Sequence, residues 1–381
     1  MNVNKPLLPV LFSLLAFSAI NTANAKTIDT PNASYSDPSA STVAIAFKPQ
    51  PSKNTQIGYG AWSELLGDII LFMGPSTRTE FKSPIRETGT RISRTHNSPF
   101  RLEGNKVLYP YIRSNVKKAI VEYVTELEDL GNRIDIPAMP RNEQLAYWIN
   151  LHNAVVIREV ADNYPGPKRR PQNIRPLEGS DAKLHDAKLL TVDGVKLSLR
   201  EIREKIVYPN WSNPDVALAF YLGDSSSPSL SNEAYTASKL RDQILANAKQ
   251  YANSLRGMQK GKVSRIYHDI APWYFSDFKN DLETYFRTRM RDEVFGEYVN
   301  AGYRGVHRYD NVVNDLTAGY GERGQQRLAA SSDREAFALG KDVQEFLVER
   351  SKKIELLRKK PWFKRGTVTI IDIETKDTEV E

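Results

Sequence analysis

The segment Tyr221–Leu230, "YLGDSSSPSL", sets three consecutive hydroxyls, Ser225, Ser226 and Ser227, behind a Gly-Asp pair and the apolar run "VALAF". A Gly-Asp-Ser at the end of a strand can aim a serine at an acyl carbon. That chemistry needs a base to take the proton and donors to steady the oxyanion. The candidate nucleophiles are Ser225 and Ser227, with His152, His185 or His268 as base. Asn150 and Asn153, about 60° apart on one helix, are the candidate donor pair. The opposite reading is a polar turn, because Gly, Asp, Ser and Pro are the commonest turn builders. No Asp-x-x-His pair occurs anywhere to serve such a serine. On the residues alone the turn is favoured.

The histidine supply points the same way. His152 shares a helical face with Leu145, Trp148, Val155 and Val156, a setting typical of a hydrogen-bonded core imidazole. His268 ends a predicted strand, beside Asp269, which could orient it. His96, His185 and His307 lie in polar stretches, and no two histidines are spaced i, i+4, so a His-based zinc motif is absent. With no cysteine in the 381 residues, disulfides, thiolate catalysis and Cys-based metal sites are excluded. No metal and no cofactor is expected. Asn150 and Asn153 read more readily as a clamp on neighbouring backbone than as donors to a cleft.

The elements that must position these residues are mostly helical. "GYGAWSELLGDIILFMG" and "SNVKKAIVEYVTELEDLGN" have apolar groups at helical spacing, the second with a stripe of Ile120, Val121, Val124 and Leu127 closed by Gly131. "RNEQLAYWINLHNAVVIREVADNYPG" is apolar on every side and should be the central helix. "KLLTVDGVKLSL" reads as a hairpin turning at Asp193-Gly194, followed by the short helix "LREIREKIV". "DVALAFYLG" and "KVSRIYHDI" read as strands, and "TASKLRDQILANAKQYANSL" and "PWYFSDFKNDLETYFRTRM" as helices. Near the end, "DREAFALGKDVQEFLVERSKKIELLRKK" is a charge-laced helix capped by Asp333. Its stripe of Phe337, Leu339, Val343, Phe346, Leu347 and Leu356 can dock on the body or on a second subunit. "GTVTIIDIETKD" then adds one strand.

Residues 1–25 carry Lys5, an apolar stretch and a terminal Ala-Asn-Ala, the pattern of a secretory signal. Residues 26–56, rich in Thr, Ser, Pro and Asn, read as a flexible tether. Residues 57–315 form the main domain, and 316–381 a helix-and-strand extension. The formal net charge of +7 is mild for this length. Basic and acidic residues are interleaved without a basic stripe, which argues against nucleic-acid binding.

Five collinear segments carry a resemblance. "RNEQLAYWINLHNAVVI", "LTVDGVKLSLREI", "SSPSLSNEAYTASKLRDQI", "VSRIYHDIAPWYFSDF" and "RYDNVVND" resemble, in order, segments of the bacterial family catalogued as domain of unknown function 547. The resemblance implies an exported or envelope α+β domain of undefined activity, and the family's Cys-His pattern suggests a thiol hydrolase. This chain departs where that chemistry would sit. The family cysteine falls on Ser227, and its two histidines fall on Glu204 and Ala217. Trp148, Asn150, Asn153, Pro228, Leu230, Tyr235, Trp273, Asp277, Phe278, Tyr309, Asp310 and Asn314 carry over, and His152 stands where the family usually has Tyr.

The expected fold is α+β: a helix-rich single main domain with a small, mostly antiparallel sheet and a C-terminal helical extension. The expected function is an exported cell-envelope protein that binds without catalysis, a degenerate hydrolase-like domain located in the periplasm or outside the cell. The alternative is a serine hydrolase of acyl, peptide or ester bonds built on the Ser225–Ser227 loop. The partner is unknown; an anionic envelope polymer or another envelope protein fits.

Overall fold

The computed structural model describes residues 38–80, 96, 98–164, 170–174, 181–321, 340–360 and 362–363. The signal-like segment, Asp333, Phe337, Leu339 and the strand expected over 366–377 lie outside the described residues. The order is α1 (Pro38–Ala46), α2 (Gly60–Ile69), β1 (Ile70–Leu71), β2 (Lys106–Val107), α3 (Ser114–Arg133) and α4 (Arg141–Asp162). Next come β3 (Lys188–Val192), β4 (Val195–Ser198), α5 (Leu199–Glu201, continued by a π-helical turn to Val207) and α6 (Leu240–Ala252). The chain closes with β5 (Met258–Gln259), β6 (Lys262–Val263), α7 (Arg265–Asp269), α8 (Ala271–Tyr274), α9 (Phe278–Arg289), α10 (Asp292–Ala301) and α11 (Lys341–Arg358). The fold is α+β and helix-rich, and among the described residues the strands form three separate two-stranded antiparallel pairs.

The core is built on α4, in which every residue from Glu143 to Ile157 is buried. The all-round apolar pattern demands this, since no face of such a helix suits water. Amides complete its start: Gln144 Nε2 donates to the carbonyls of Pro137 (2.8 Å) and Met139 (2.7 Å). Helix α3 packs on α4 through Ile120, Val124 and Leu127. Val121, expected in that stripe, is 39 % exposed because it lies a quarter-turn off it. Gly131 does not close α3, which runs on to Arg133. It is small because the hairpin crosses it: a Cβ there would lie 2.7 Å from Val192 Cγ1. The hairpin turns at Asp193 and Gly194, both at positive φ (47° and 71°), as a two-residue primed turn requires.

Three expectations are corrected. Residues 38–46 of the expected tether are helical, and Val43 and Phe47 enter the core, Phe47 edge-on to Trp148 at 5.1 Å. "DVALAFYLG" is no strand. Pro214–Ala219 form a 3-10 helix begun by Pro214 and by Asn213, whose side chain accepts from the Asp215 N–H at 3.0 Å. "KVSRIYHDI" is strand only at Lys262–Val263. The Ser264 hydroxyl then accepts from the Ile266 N–H and starts α7.

Helix α11 docks on the body through a second apolar cluster of Met73, Leu102, Leu316, Val343 and Phe346. Leu356, expected in the docking stripe, is 42 % exposed, and Leu357 is buried instead. Arg101 pairs with Glu349 through Nη2 at 2.7 Å, and the buried Lys353 ammonium donates to the Leu102 carbonyl. Burial pushes Lys353 down to about 8.

Candidate functional site

The serine loop is pinned from three sides. From residues 309–314, the Asp310 N–H donates to Ser226 Oγ at 2.7 Å, and the Asp310 carbonyl accepts from the Ser226 N–H at 3.1 Å. The Ser225 N–H donates to the Val312 carbonyl at 2.9 Å, and Asp224 bridges Val313. The Tyr309 hydroxyl lies 3.0 Å from both oxygens of the buried Asp224 carboxyl, which burial pushes up to about 7. From α6, the Tyr251 hydroxyl donates to the Ser226 carbonyl at 2.8 Å. Just beyond α6, the buried guanidinium of Arg256 donates to the Ser227 carbonyl, to Ser229 Oγ (3.2 Å) and to Gln250 Oε1 (2.9 Å). From just before β2, Asn105 Nδ2 donates to the Leu230 carbonyl at 2.9 Å.

All three serines are fully buried. Ser227 Oγ donates to the Asp224 carbonyl at 2.6 Å, closing a turn inside the loop. Ser225 Oγ has no partner among the described residues, and Pro228 is buried beside them. Gly104 and Arg256 form a tight lid: a Cβ on Gly104, which sits at φ +66°, would lie 2.4 Å from Arg256 Nη1. The described clefts do not reach the loop.

The imidazoles expected as bases, His152, His185 and His268, make bonds to other groups. His152 Nε2 lies 2.6 Å from Arg203 Nη1, and its Nδ1 lies 3.2 Å from Asn153 Oδ1. His185 Nδ1 lies 3.3 Å from the same Arg203 nitrogen, with its Nε2 3.2 Å from the Leu222 carbonyl. A guanidinium only donates, so each ring must offer a lone pair to Arg203 and carry its proton on the other nitrogen. Both are thus neutral acceptors around one buried cation. Burial first, and Arg203 second, hold both well below the usual imidazole range. His268 Nε2 lies 2.7 Å from the Tyr303 hydroxyl. Asp269, expected to orient that ring, accepts from Arg265 at 3.4 Å.

Asn150 and Asn153 act as backbone clamps. Asn150 Nδ2 donates to the Tyr235 carbonyl (2.8 Å), and its Oδ1 accepts from the Tyr235 N–H (3.0 Å). Asn153 Nδ2 donates to the Ala219 carbonyl (3.0 Å), and its Oδ1 accepts from the Tyr221 N–H (2.9 Å). Asn247 on α6 adds bonds to the carbonyls of Leu218 (2.7 Å) and Ser229 (3.0 Å). Side-chain amides thus do what a neighbouring strand would do for residues 218–235, and this is why the segment can be buried without joining a sheet.

The sequence-predicted residues therefore fall into separate groups. Pro228, Tyr309, Asp310 and Asn314 surround the serine loop. Asn314 Oδ1 accepts from the buried Lys106 ammonium at 2.7 Å, and burial, then Arg256, push Lys106 down to about 7. Trp148, Asn150, Asn153, His152 and Tyr235 belong to the α4 core. Trp273 packs edge-on to Tyr208 at 5.2 Å, and the exposed Asp277 caps α9, accepting from Asn280 Nδ2 at 2.6 Å. Glu204 pairs with Arg200 at 3.1 Å, and Ala217 is buried. Sequence reasoning passed over Arg203, Arg256 and Lys106, and took Asp224 only as part of the Gly-Asp-Ser segment. None of the three cations stands in a motif that marks it, and each becomes special only through partners distant in the chain.

A helix-rich α+β domain whose central helix clamps a buried loop between residues 214 and 235 is thus the class of protein defined by fold and site. Residues 136–252, spanning that helix, the clamped loop and α6, match the family described as "Protein of unknown function, DUF547". No curated protein and no solved structure matches the chain.

Proposed function

We propose that the protein is an exported envelope protein acting by binding, on a hydrolase-like domain whose acyl chemistry has been lost. One observation carries this reading: the hydroxyls of Ser225, Ser226 and Ser227 are buried, and both ring nitrogens of His152 and His185 and Nε2 of His268 are bonded to groups other than these serines. A serine without a base within hydrogen-bond reach, or one bridging water, has no means of losing its proton to an incoming acyl group. Export is supported by the N-terminal residue pattern and by the absence of cysteine from the whole chain.

The test is incubation of the purified protein with ester, amide and envelope-derived acyl substrates, alongside a serine-directed phosphonate probe. The expected result is turnover no faster than in a Ser225→Ala/Ser227→Ala variant, and no labelling. Turnover that disappears in Ser227→Ala while the variant keeps its fold would overturn the reading.

A further inference from the structure

We propose that the outward face of α11 is a docking surface for an anionic lipid bilayer. The inference does not depend on whether the serine loop is inert.

The inward side of α11 is satisfied by Val343, Phe346, Lys353 and Leu357, all buried. Away from that side it carries apolar groups that are exposed among the described residues: Val348 is 53 % exposed, Leu356 42 %, and the neighbouring Phe72 51 %. These are three of the seven large exposed hydrophobics among the described residues, and two of them, Phe72 and Val348, line one open cleft of about 870 Å3 together with Ile354 and Phe363. Arg350, Lys352 and Arg358 line the same cleft. Arg350 donates to the Phe72 carbonyl at 2.7 Å, which fixes its position, and it forms no ion pair among the described residues. Lys352, Arg358 and the exposed Lys360 form no ion pair among the described residues. Of the acids on this helix, Glu355 lines the cleft and faces Lys359 at 3.7 Å, Glu349 pairs with Arg101, and Glu345 is exposed. On the far side of Phe363, Trp362 stacks under the Arg291 guanidinium at 4.3 Å, and Arg291 pairs with Glu293.

An apolar floor with a cationic rim is complementary to an amphiphile with a negative head. A soluble acidic polymer would engage the cations and leave Phe72 and Val348 in water. A bilayer surface takes both, with aliphatic and aromatic groups at the acyl boundary and cations among the headgroups. Among the described residues no helix is long and apolar enough to cross a membrane, so the contact proposed here is peripheral.

The cysteine-free sequence makes the test specific, because a single introduced thiol takes the only label. Val348→Cys in the full chain is labelled with an environment-sensitive fluorophore, and Val121→Cys on α3, 39 % exposed, is the control. Phosphatidylglycerol-containing vesicles are expected to brighten and blue-shift the label at 348 and leave the label at 121 unchanged. The response should fade at high salt and be absent with phosphatidylcholine alone. Lys352→Glu/Arg358→Glu/Lys360→Glu should weaken vesicle partitioning at that label about a hundredfold, from roughly a fivefold contribution per basic residue. No response at 348, an equal response at 121 or to neutral vesicles, or a response to an acidic polysaccharide alone would each overturn the proposal.

Discussion

Asn153→Ala will cost the folded protein about 3–5 kcal/mol, a large share of a domain's typical total of roughly 5–15 kcal/mol. The side chain is the partner of two buried backbone groups, the Ala219 carbonyl and the Tyr221 N–H. Each buried group left without a partner costs about 1–3 kcal/mol, and the vacated volume adds to that. Asn153→Asp keeps an acceptor for Tyr221 N–H but faces the Ala219 carbonyl with a second acceptor and buries a charge, so it should be at least as damaging. Chemical denaturation followed by far-UV circular dichroism gives the numbers. A loss below about 1 kcal/mol for Asn153→Ala would mean that water or a shifted backbone replaces the clamp.

Arg203→Met should cost about 2–4 kcal/mol near pH 8, where His152 Nε2 and His185 Nδ1 both lose the donor they share. The deficit should shrink toward pH 5, and the sign follows from linkage. In the native protein both imidazoles titrate well below their unfolded value of about 6.5, so below that pH the unfolded chain binds more protons. Stability is then lost as pH falls, by up to about 1.4 kcal/mol per unit for each ring. Removing the guanidinium removes a cause of that depression and lets a proton fill the vacant lone pair. Asp224 and Asp315, whose folded values are raised by burial, work in the opposite direction, since their contribution is lost as pH rises through those values. They are present in both proteins and cancel in the difference. Denaturation midpoints of the two proteins at pH 5, 6.5 and 8 check this; a deficit that grows on acidification contradicts the neutral-acceptor arrangement.

What the sequence discloses and what it hides divide along physical lines. The all-round apolar composition of residues 141–162 announces the central helix, because burial on every side leaves a local imprint. The Asp193-Gly194 pair announces its hairpin, because positive φ at two consecutive residues restricts the residue types allowed. Asn150 and Asn153 stand out as amides among apolar neighbours, and the clamp reading follows from the need to satisfy them.

By contrast, "DVALAF" has the composition of a strand, and nothing local reveals that α4 and α6 meet its carbonyls with amides in place of a strand edge. "SRIYHD" has strand-favouring residues, and the Ser264 cap overrides them. The buried cations Arg203, Arg256, Lys106 and Lys353 look like surface residues in the sequence. Their partners lie far away in the chain, as with Lys106 and Asn314. The resemblance led attention to Ser227, where the family cysteine falls, and to Glu204 and Ala217. The structure places the histidine-rich polar cluster one residue from Glu204, at Arg203, and turns it toward α4.

A thiol placed at the candidate nucleophile position answers the remaining question with one rate constant. In Ser227→Cys, the reaction with a water-soluble disulfide reagent is expected to run at least about a thousandfold slower than for a free thiol, and to accelerate only as denaturant opens the loop. Modification at the pace of an exposed cysteine, in the folded protein at neutral pH, would mean that position 227 opens onto solvent and that the hydroxyl there is available for chemistry.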